Sequence, residues 1–203
     1  MRSPKDNRRA IEIKPDFVES YNNLAIILQD KGGYVEAEKY FRSAIELNPN
    51  YAEAYNNIGN LLKDTERNKE AEIYYKLSLK INPKNYKVYN NLGLLCADSQ
   101  RLDDAEMFYR KAIELNPNFA EAYNNLGNIL RNKNQLPVSA KAAETAFDKS
   151  ADASVAVAEF ESEAEKYFRR AIELNPNYAE AYNNIGNLFK TILEESKKLK
   201  SFI

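Results

Sequence analysis

The chain has 203 residues, with 29 basic and 30 acidic side chains, no histidine and one cysteine. The even charge leaves no basic face of the kind that holds nucleic acid, no apolar run reaches the roughly 18 residues of a membrane span, and no secretory leader opens the chain. An internal disulfide, the common zinc sites and a histidine-based triad are excluded, so binding is expected before catalysis and no cofactor is expected. A lone cysteine fits a reducing compartment, and a cytoplasmic location is the expectation.

The dominant signal is a repeat. Pro15, Pro49, Pro83 and Pro117 are spaced by 34 residues, and Pro176 follows after 59, which places the last copy 25 residues late. Residues 46–60 read ELNPNYAEAYNNIGN, and the block returns at 114–128 and 173–187, with a looser copy at 79–94. A period of 34 predicts an all-α solenoid whose units bury their apolar faces only against neighbours.

Residues 3–17 form a partial repeat. Ala10, Ile11 and Pro15 stand one period before Ala44, Ile45 and Pro49, and no partner helix precedes them. The expectation is a chain that starts inside a longer array, because Asn7 stands where Phe41, Tyr75 and Tyr109 stand in later copies.

Full repeats follow at 18–51, 52–85 and 86–119. In the first helix of each, Tyr21, Leu24, Ala25 and Leu28 recur at i, i+3, i+4 and i+7, the apolar face of an amphipathic helix. Gly59, Gly93, Gly127 and Gly186 interrupt helices, where glycine costs about 1 kcal/mol against alanine, so a closely packed partner is expected at each. The second helices carry Ala37, Ala71 and Ala105, then Phe41, Tyr75 and Tyr109, then Ala44, Ser78 and Ala112. Each ends at Asn-Pro (48–49, 82–83, 116–117, 175–176), where asparagine is expected in the left-handed conformation and proline stops the helix. Cys96 shares the column of Leu28, Leu62, Leu130 and Phe189 and reads as a packing residue.

The fourth repeat, 120–178, carries an insert of about 25 residues. Two segments compete for the position beside its first helix. The earlier offers Ser139, Ala143, Ala146 and Phe147; the later offers Ala164, Phe168, Ala171, Ile172 and a closing proline, and is expected to win. An extra helix is expected over 137–149, then a break near 150–154 and a lengthened second helix ending about Leu174. The extra helix would fold over the groove, pack on the outer edge, or meet a second chain as a homo-dimer through 137–160. Residues 179–203 form a last partial repeat with a charged C-terminal extension expected to cap the apolar end. Segments 37–63 and 164–190 agree at 25 of 27 positions, which points to recent duplication or deliberate repeat engineering.

These columns resemble the tetratricopeptide repeat: small residues at helix crossings, an aromatic in the second helix and proline at the end. The resemblance covers nearly all of the chain outside about 135–160. It departs in placing tyrosine (Tyr21, Tyr55, Tyr89, Tyr123, Tyr182) where tryptophan is common. It implies a right-handed superhelix whose concave groove, lined by first helices, holds peptides or partner proteins.

The candidate site is a double rail of asparagines on first helices. One rail is Asn22, Asn56, Asn90, Asn124 and Asn183; the other is Asn23, Asn57, Asn91, Asn125 and Asn184; Asn60, Asn128 and Asn187 add a third column. An amide donates and accepts, so it can pair with a peptide backbone whatever the ligand sequence. The pattern resembles the asparagine ladder in the repeat superhelix of O-linked N-acetylglucosamine transferase, while asparagine bonded to neighbouring turns is the alternative. By the family's geometry the groove also carries Glu19, Glu53, Glu121 and Glu180, with Lys87 interrupting, then Asp30, Asp64 and Asp98, against Lys63, Arg131 and Lys190. The lysine columns of the family's carboxylate-clamp members hold asparagine and glutamate here, so a C-terminal carboxylate is not the expected ligand.

The expected function is therefore a non-catalytic scaffold that binds an extended peptide or partner helix. The alternatives are the substrate-recruiting arm of a larger enzyme, glycosyltransferase-like, and an engineered repeat protein with no natural ligand. Partners are proteins or peptides, with no nucleic acid, membrane or metal.

Overall fold

The structure, a computed structural model, describes residues 3–133 and 163–200. Among the described residues there are ten helices and no strand: α1 (Pro4–Ile13), α2 (Val18–Asp30), α3 (Tyr34–Leu47), α4 (Ala52–Asp64), α5 (Asn68–Ile81), α6 (Tyr86–Asp98), α7 (Leu102–Leu115), α8 (Ala120–Lys133), α9 (Glu163–Leu174) and α10 (Ala179–Lys200). Two compact units, Met1–Leu95 and Cys96–Ile203, divide the chain within α6. The all-α repeat architecture agrees with the 34-residue period. The extra helix expected over 137–149 and the break at 150–154 lie outside the described residues.

In the first unit, α2 pairs with α3 and α4 with α5, while α1 lies on α2 and α3 on α4. In the second, α9 packs on α8, and α10 lies against both. The later of the two competing segments thus holds the position beside α8. Its winning feature is visible in one contact. A Cβ added to Gly127 would stand 2.7 Å from the Phe168 ring, and one added to Gly59 would stand 2.7 Å from the Tyr75 ring. Real Cβ atoms do not approach that closely, so the aromatic ring occupies the volume a side chain would need. Each ring is fully buried and sets the spacing of its hairpin; Leu24, Ile58, Leu62 and Leu92 build the core of the first unit, and Leu126 belongs to that of the second. Cys96 is fully buried, as its column implied.

The turns within repeats share a device that their sequences hide. Gly32, Glu66 and Gln100 stand one period apart and all have positive φ, +78°, +60° and +58°. Each closes its helix with a paired bond set: Gly33 N–H to Leu28 C=O, Arg67 to Leu62 and Arg101 to Cys96, with the left-handed residue bonding back to Gln29, Lys63 or Ala97. This is the Schellman closure, which needs one left-handed residue just past the helix.

The Asn-Pro ends behave otherwise. Asn48, Asn82 and Asn116 have φ of −139°, −127° and −140°, not the left-handed values expected for them. Proline pushes the residue before it out of the helical region into extended backbone. Asparagine serves there through its side chain: the Oδ1 of Asn48, Asn116 and Asn175 accepts the N–H two residues on, at 3.0, 3.1 and 3.2 Å. The amide carbonyl turns the chain around the proline.

Outside the hairpins, an arginine of one second helix reaches a tyrosine of the next. Arg42 donates to Glu38 and to the Tyr74 hydroxyl at 2.8 Å while lying over the Tyr74 ring. Arg110 does the same with Glu106 and Tyr167 in the second unit. Burial opposes ionisation of Glu38, yet hydrogen bonds from Arg67 and Arg42 outweigh it and hold the carboxyl below its usual range.

Glu66 and Gln100 sit in a conformation that costs a side-chain-bearing residue about 1–2 kcal/mol. Glu66→Gly and Gln100→Gly are each expected to raise stability by roughly 0.5–1 kcal/mol after the glycine's larger unfolded-state entropy is subtracted. Urea titrations of the two variants check this, and a loss of stability in both would show that the turns carry no strain.

Candidate functional site

The first helix of each repeat carries adjacent asparagines, and adjacent positions on a helix point about 100° apart. One therefore turns towards the next repeat while the other turns outward. Asn22 and Asn124 are fully buried and Asn90 nearly so, Asn56 is half-buried, and Asn183 is exposed. On the second rail Asn57, Asn91, Asn125 and Asn184 are half-buried and Asn23 is exposed.

The two rails are bonded to each other from repeat to repeat. Asn57 Nδ2 donates to Asn22 Oδ1 at 3.0 Å, and Asn91 Nδ2 to Asn56 Oδ1 at 3.0 Å. In the second unit Asn184 Nδ2 donates to Asn124 Oδ1 at 2.8 Å. Each rung spans one repeat step, 35 residues in the first unit. The inner rail is thus the acceptor that fixes the outer rail's orientation. Half of the asparagine pattern is spent holding first helices together, and the outer half is aligned by it.

The third column behaves as a brace. Asn60 Oδ1 accepts from the Tyr75 hydroxyl at 2.8 Å and from Asn91 Nδ2 at 3.0 Å. The corresponding Asn128 Oδ1 is buried and has no partner among the described residues. Its counterpart of Tyr75 is Phe168, which fills the same notch but carries no hydroxyl. Asn187 is exposed.

Acidic residues border the rungs. Asn124 Nδ2 donates to Glu180 at 3.0 Å and to the Tyr178 hydroxyl at 3.4 Å, and Tyr51 bonds Glu53 at 3.4 Å. Gln29 donates to Asp64 at 2.9 Å. The Tyr-x-Glu pairs at 51/53 and 178/180, next to a buried asparagine, are a feature that reading columns singly does not single out. Burial, with Glu53 and Glu19 nearby, pushes the Tyr51 hydroxyl up to about 12; burial with Glu180 and Glu121 pushes Tyr178 up to about 12. Burial also raises Tyr75 and Tyr109, with Asp64 and Asp98 adding to the effect.

Among the described residues no group of three His, Cys, Asp or Glu side chains could hold a metal. No described helix is long and apolar enough to cross a membrane. The arrangement offers oriented amides and carboxylates, which suits recognition of donors and acceptors on another chain.

Sequence models of the tetratricopeptide repeat match residues 16–84, residues 86–119, and residues 108–138 with 167–199. Among solved structures, a crystal structure of MamA is 21% identical over 87% of this chain and 89% of that one, with a TM-score of 0.64. YrrB, described as a TPR protein with an unusual peptide-binding site, is 24% identical over 89% of this chain and 98% of that one, with a TM-score of 0.58. At these identities the likeness is one of fold. No curated protein matches the chain.

Phe168→Tyr would place a hydroxyl beside the orphaned Asn128 carbonyl. The variant is expected to gain roughly 0.5–1.5 kcal/mol, the net value of one hydrogen bond. An unchanged melting midpoint would mean that Asn128 is already satisfied.

The four raised tyrosines also set an alkaline limit. The native state holds their protons to higher pH than the unfolded chain, whose tyrosines ionise near 10, so stability falls as pH rises. This contribution is whole below about pH 10 and is lost as the pH climbs through about 12. Circular dichroism followed alongside tyrosinate absorbance should show helix loss starting above pH 10; helix content unchanged at pH 12 would contradict it.

Proposed function

The chain belongs to the tetratricopeptide-repeat family, and from that premise we propose that it is a non-catalytic scaffold gripping an extended peptide along the outer asparagine rail. The observation that carries this reading is the rung geometry. Asn57, Asn91 and Asn184 of the outer rail are half-buried and anchored on one edge by the inner rail, which orients them without further ordering. Anchored side chains lose little rotamer entropy when they bind, and that loss otherwise weakens polar recognition. The carbonyl oxygens of Asn91 and Asn184 accept no bond from another described residue and can take a peptide N–H. A ligand contacted through its backbone is selected by its extended shape more than by its side chains.

The acidic border adds a preference. Glu53 and Glu180 lie beside the rungs, so a basic or polar peptide is favoured over an acidic one. YrrB's title names a peptide-binding site in a chain of the same fold, which supports the class of ligand without fixing its sequence.

An array of unstructured 12-residue peptides probed with wild-type protein, Asn23→Ala and Asn91→Ala tests the proposal. Each removed hydrogen bond, about 0.5–1.5 kcal/mol, should weaken binding roughly 2- to 12-fold. Asn23 is exposed, so its variant separates binding from folding. Peptides that bind both variants as tightly as the wild-type protein would overturn the asparagine reading.

A further inference from the structure

Among the described second helices, α5 differs on the side turned away from the core. Ala71, Tyr75 and Ser78 are fully buried, and at about 100° per residue the opposite side carries Ile73, Leu77 and Lys80. Ile73 is 57% and Leu77 37% exposed. Their columns read Lys39, Ile73, Met107 and Lys166, then Ser43, Leu77, Lys111 and Arg170. Of these helices, α5 alone sets two aliphatic side chains one turn apart on that side. An exposed isoleucine is a poorer helix former than the lysine of other copies, so helix propensity does not account for it, and neither does the core.

The aliphatic pair adjoins a pocket and a local reversal of charge. Leu77 lines an open pocket of about 610 Å³ together with Pro49, Asn50, Tyr55, Lys80 and Ile81, all of them in the first unit. Lys80 stands where the other copies have Glu46, Glu114 and Glu173, and Lys84 where they have Asn50, Asn118 and Asn177. Lys76, one turn before Lys80, is taken up by Glu72 at 2.6 Å, whereas Lys80 and Lys84 have no carboxylate partner among the described residues. A lysine in the last turn complements the carbonyl end of a helix. Glutamate fills that place in three other copies, so the fold does not demand the cation.

We propose that the outer side of α5 is a second docking surface, separate from the asparagine rungs, whose partner is a short acidic peptide. Ile73 and Leu77 are about 6 Å apart along the helix axis. The partner therefore offers two apolar side chains at that spacing, as a helix does at i and i+4 or a strand at i and i+2. One of them enters the pocket against Tyr55 and Leu77, and a carboxylate beyond it meets Lys80 and Lys84. Apolar contact supplies the affinity, and the lysines reject basic competitors. A peptide fits better than an anionic membrane, because adsorption to lipid takes clusters of about four to eight cations and two unpaired lysines border this pocket. Glu53 and Glu180 give the rungs the opposite preference, so the two surfaces sort ligands by sign of charge.

A display library of random 12-residue peptides, selected on the full chain, supplies the probe. Leu77→Lys repeats the lysine that α7 carries at this position, so folding is expected to be unchanged, with the melting midpoint as the check. Peptides that prefer the wild-type protein to this variant are expected to pair two apolar residues with Asp or Glu. Leu77→Lys should weaken them roughly tenfold or more, and Lys80→Glu roughly fivefold. Asn23→Ala should leave them unaffected, which separates this surface from the rungs. The proposal is overturned if no selected peptide distinguishes wild type from Leu77→Lys, or if those that do lack an acidic residue or bind Lys80→Glu as tightly. Vesicles of phosphatidylserine and phosphatidylcholine that bind wild type and not Leu77→Lys would assign the surface to a membrane. A dimer in sedimentation that Leu77→Lys dissociates would assign it to a second copy. Either result overturns the peptide partner.

Discussion

The contact of an aromatic ring with the backbone of a helical glycine is the constraint from which the rest follows. With no side chain at Gly59 or Gly127, the ring of Tyr75 or Phe168 reaches the helix surface itself, 2.7 Å from where a Cβ would be. A helix interior gives up stability to host glycine, and the burial of a large ring more than restores it. The close approach sets the separation within a hairpin. That separation in turn decides which neighbouring columns must be small, and alanine or serine stands at each: Ala37, Ala44, Ala71, Ser78, Ala105 and Ala112 are all fully buried.

The asparagine rungs solve a different problem. Stacked first helices place polar side chains between repeats, where water cannot satisfy all of them. An amide pairs with an amide through the donor of one and the acceptor of the other, so a single residue type can run through the array without a partner of a second kind. Buried polar groups satisfied in this way also fix register, because an amide shifted by one position along the helix would lose its bond. The rungs belong to the fold, and the outer rail's alignment is their by-product.

Much of this was legible in the chain. The period and the ring contacts at Gly59 and Gly127 follow from columns whose physical demands are strict, because glycine lets a ring come closest to a helix; the close partner expected at Gly186 is not there among the described residues. The turn conformations were not legible. Gly32 suggests a left-handed residue, yet Glu66 and Gln100 take the same φ, because backbone bonds to Leu62 and Cys96 impose it whatever the side chain. At the Asn-Pro ends the inference from residue type ran the wrong way, since the following proline outranks asparagine's own preference. The division of the asparagines into an inner and an outer rail was equally hidden. Adjacent identical residues carry no mark of which one faces the neighbour, and that depends on how helices cross.

Segments 37–63 and 164–190 are nearly one sequence, yet Leu62 is sealed and Phe189 open, Gly59 is covered and Gly186 bare. Burial here is a property of rank in the stack and not of the residue. Each unit behaves as a link whose free energy is shared with the next, in the manner of a one-dimensional chain of coupled spins. A link coupled on one side only is held by fewer contacts than one coupled on both, so melting begins at such a link and travels inward.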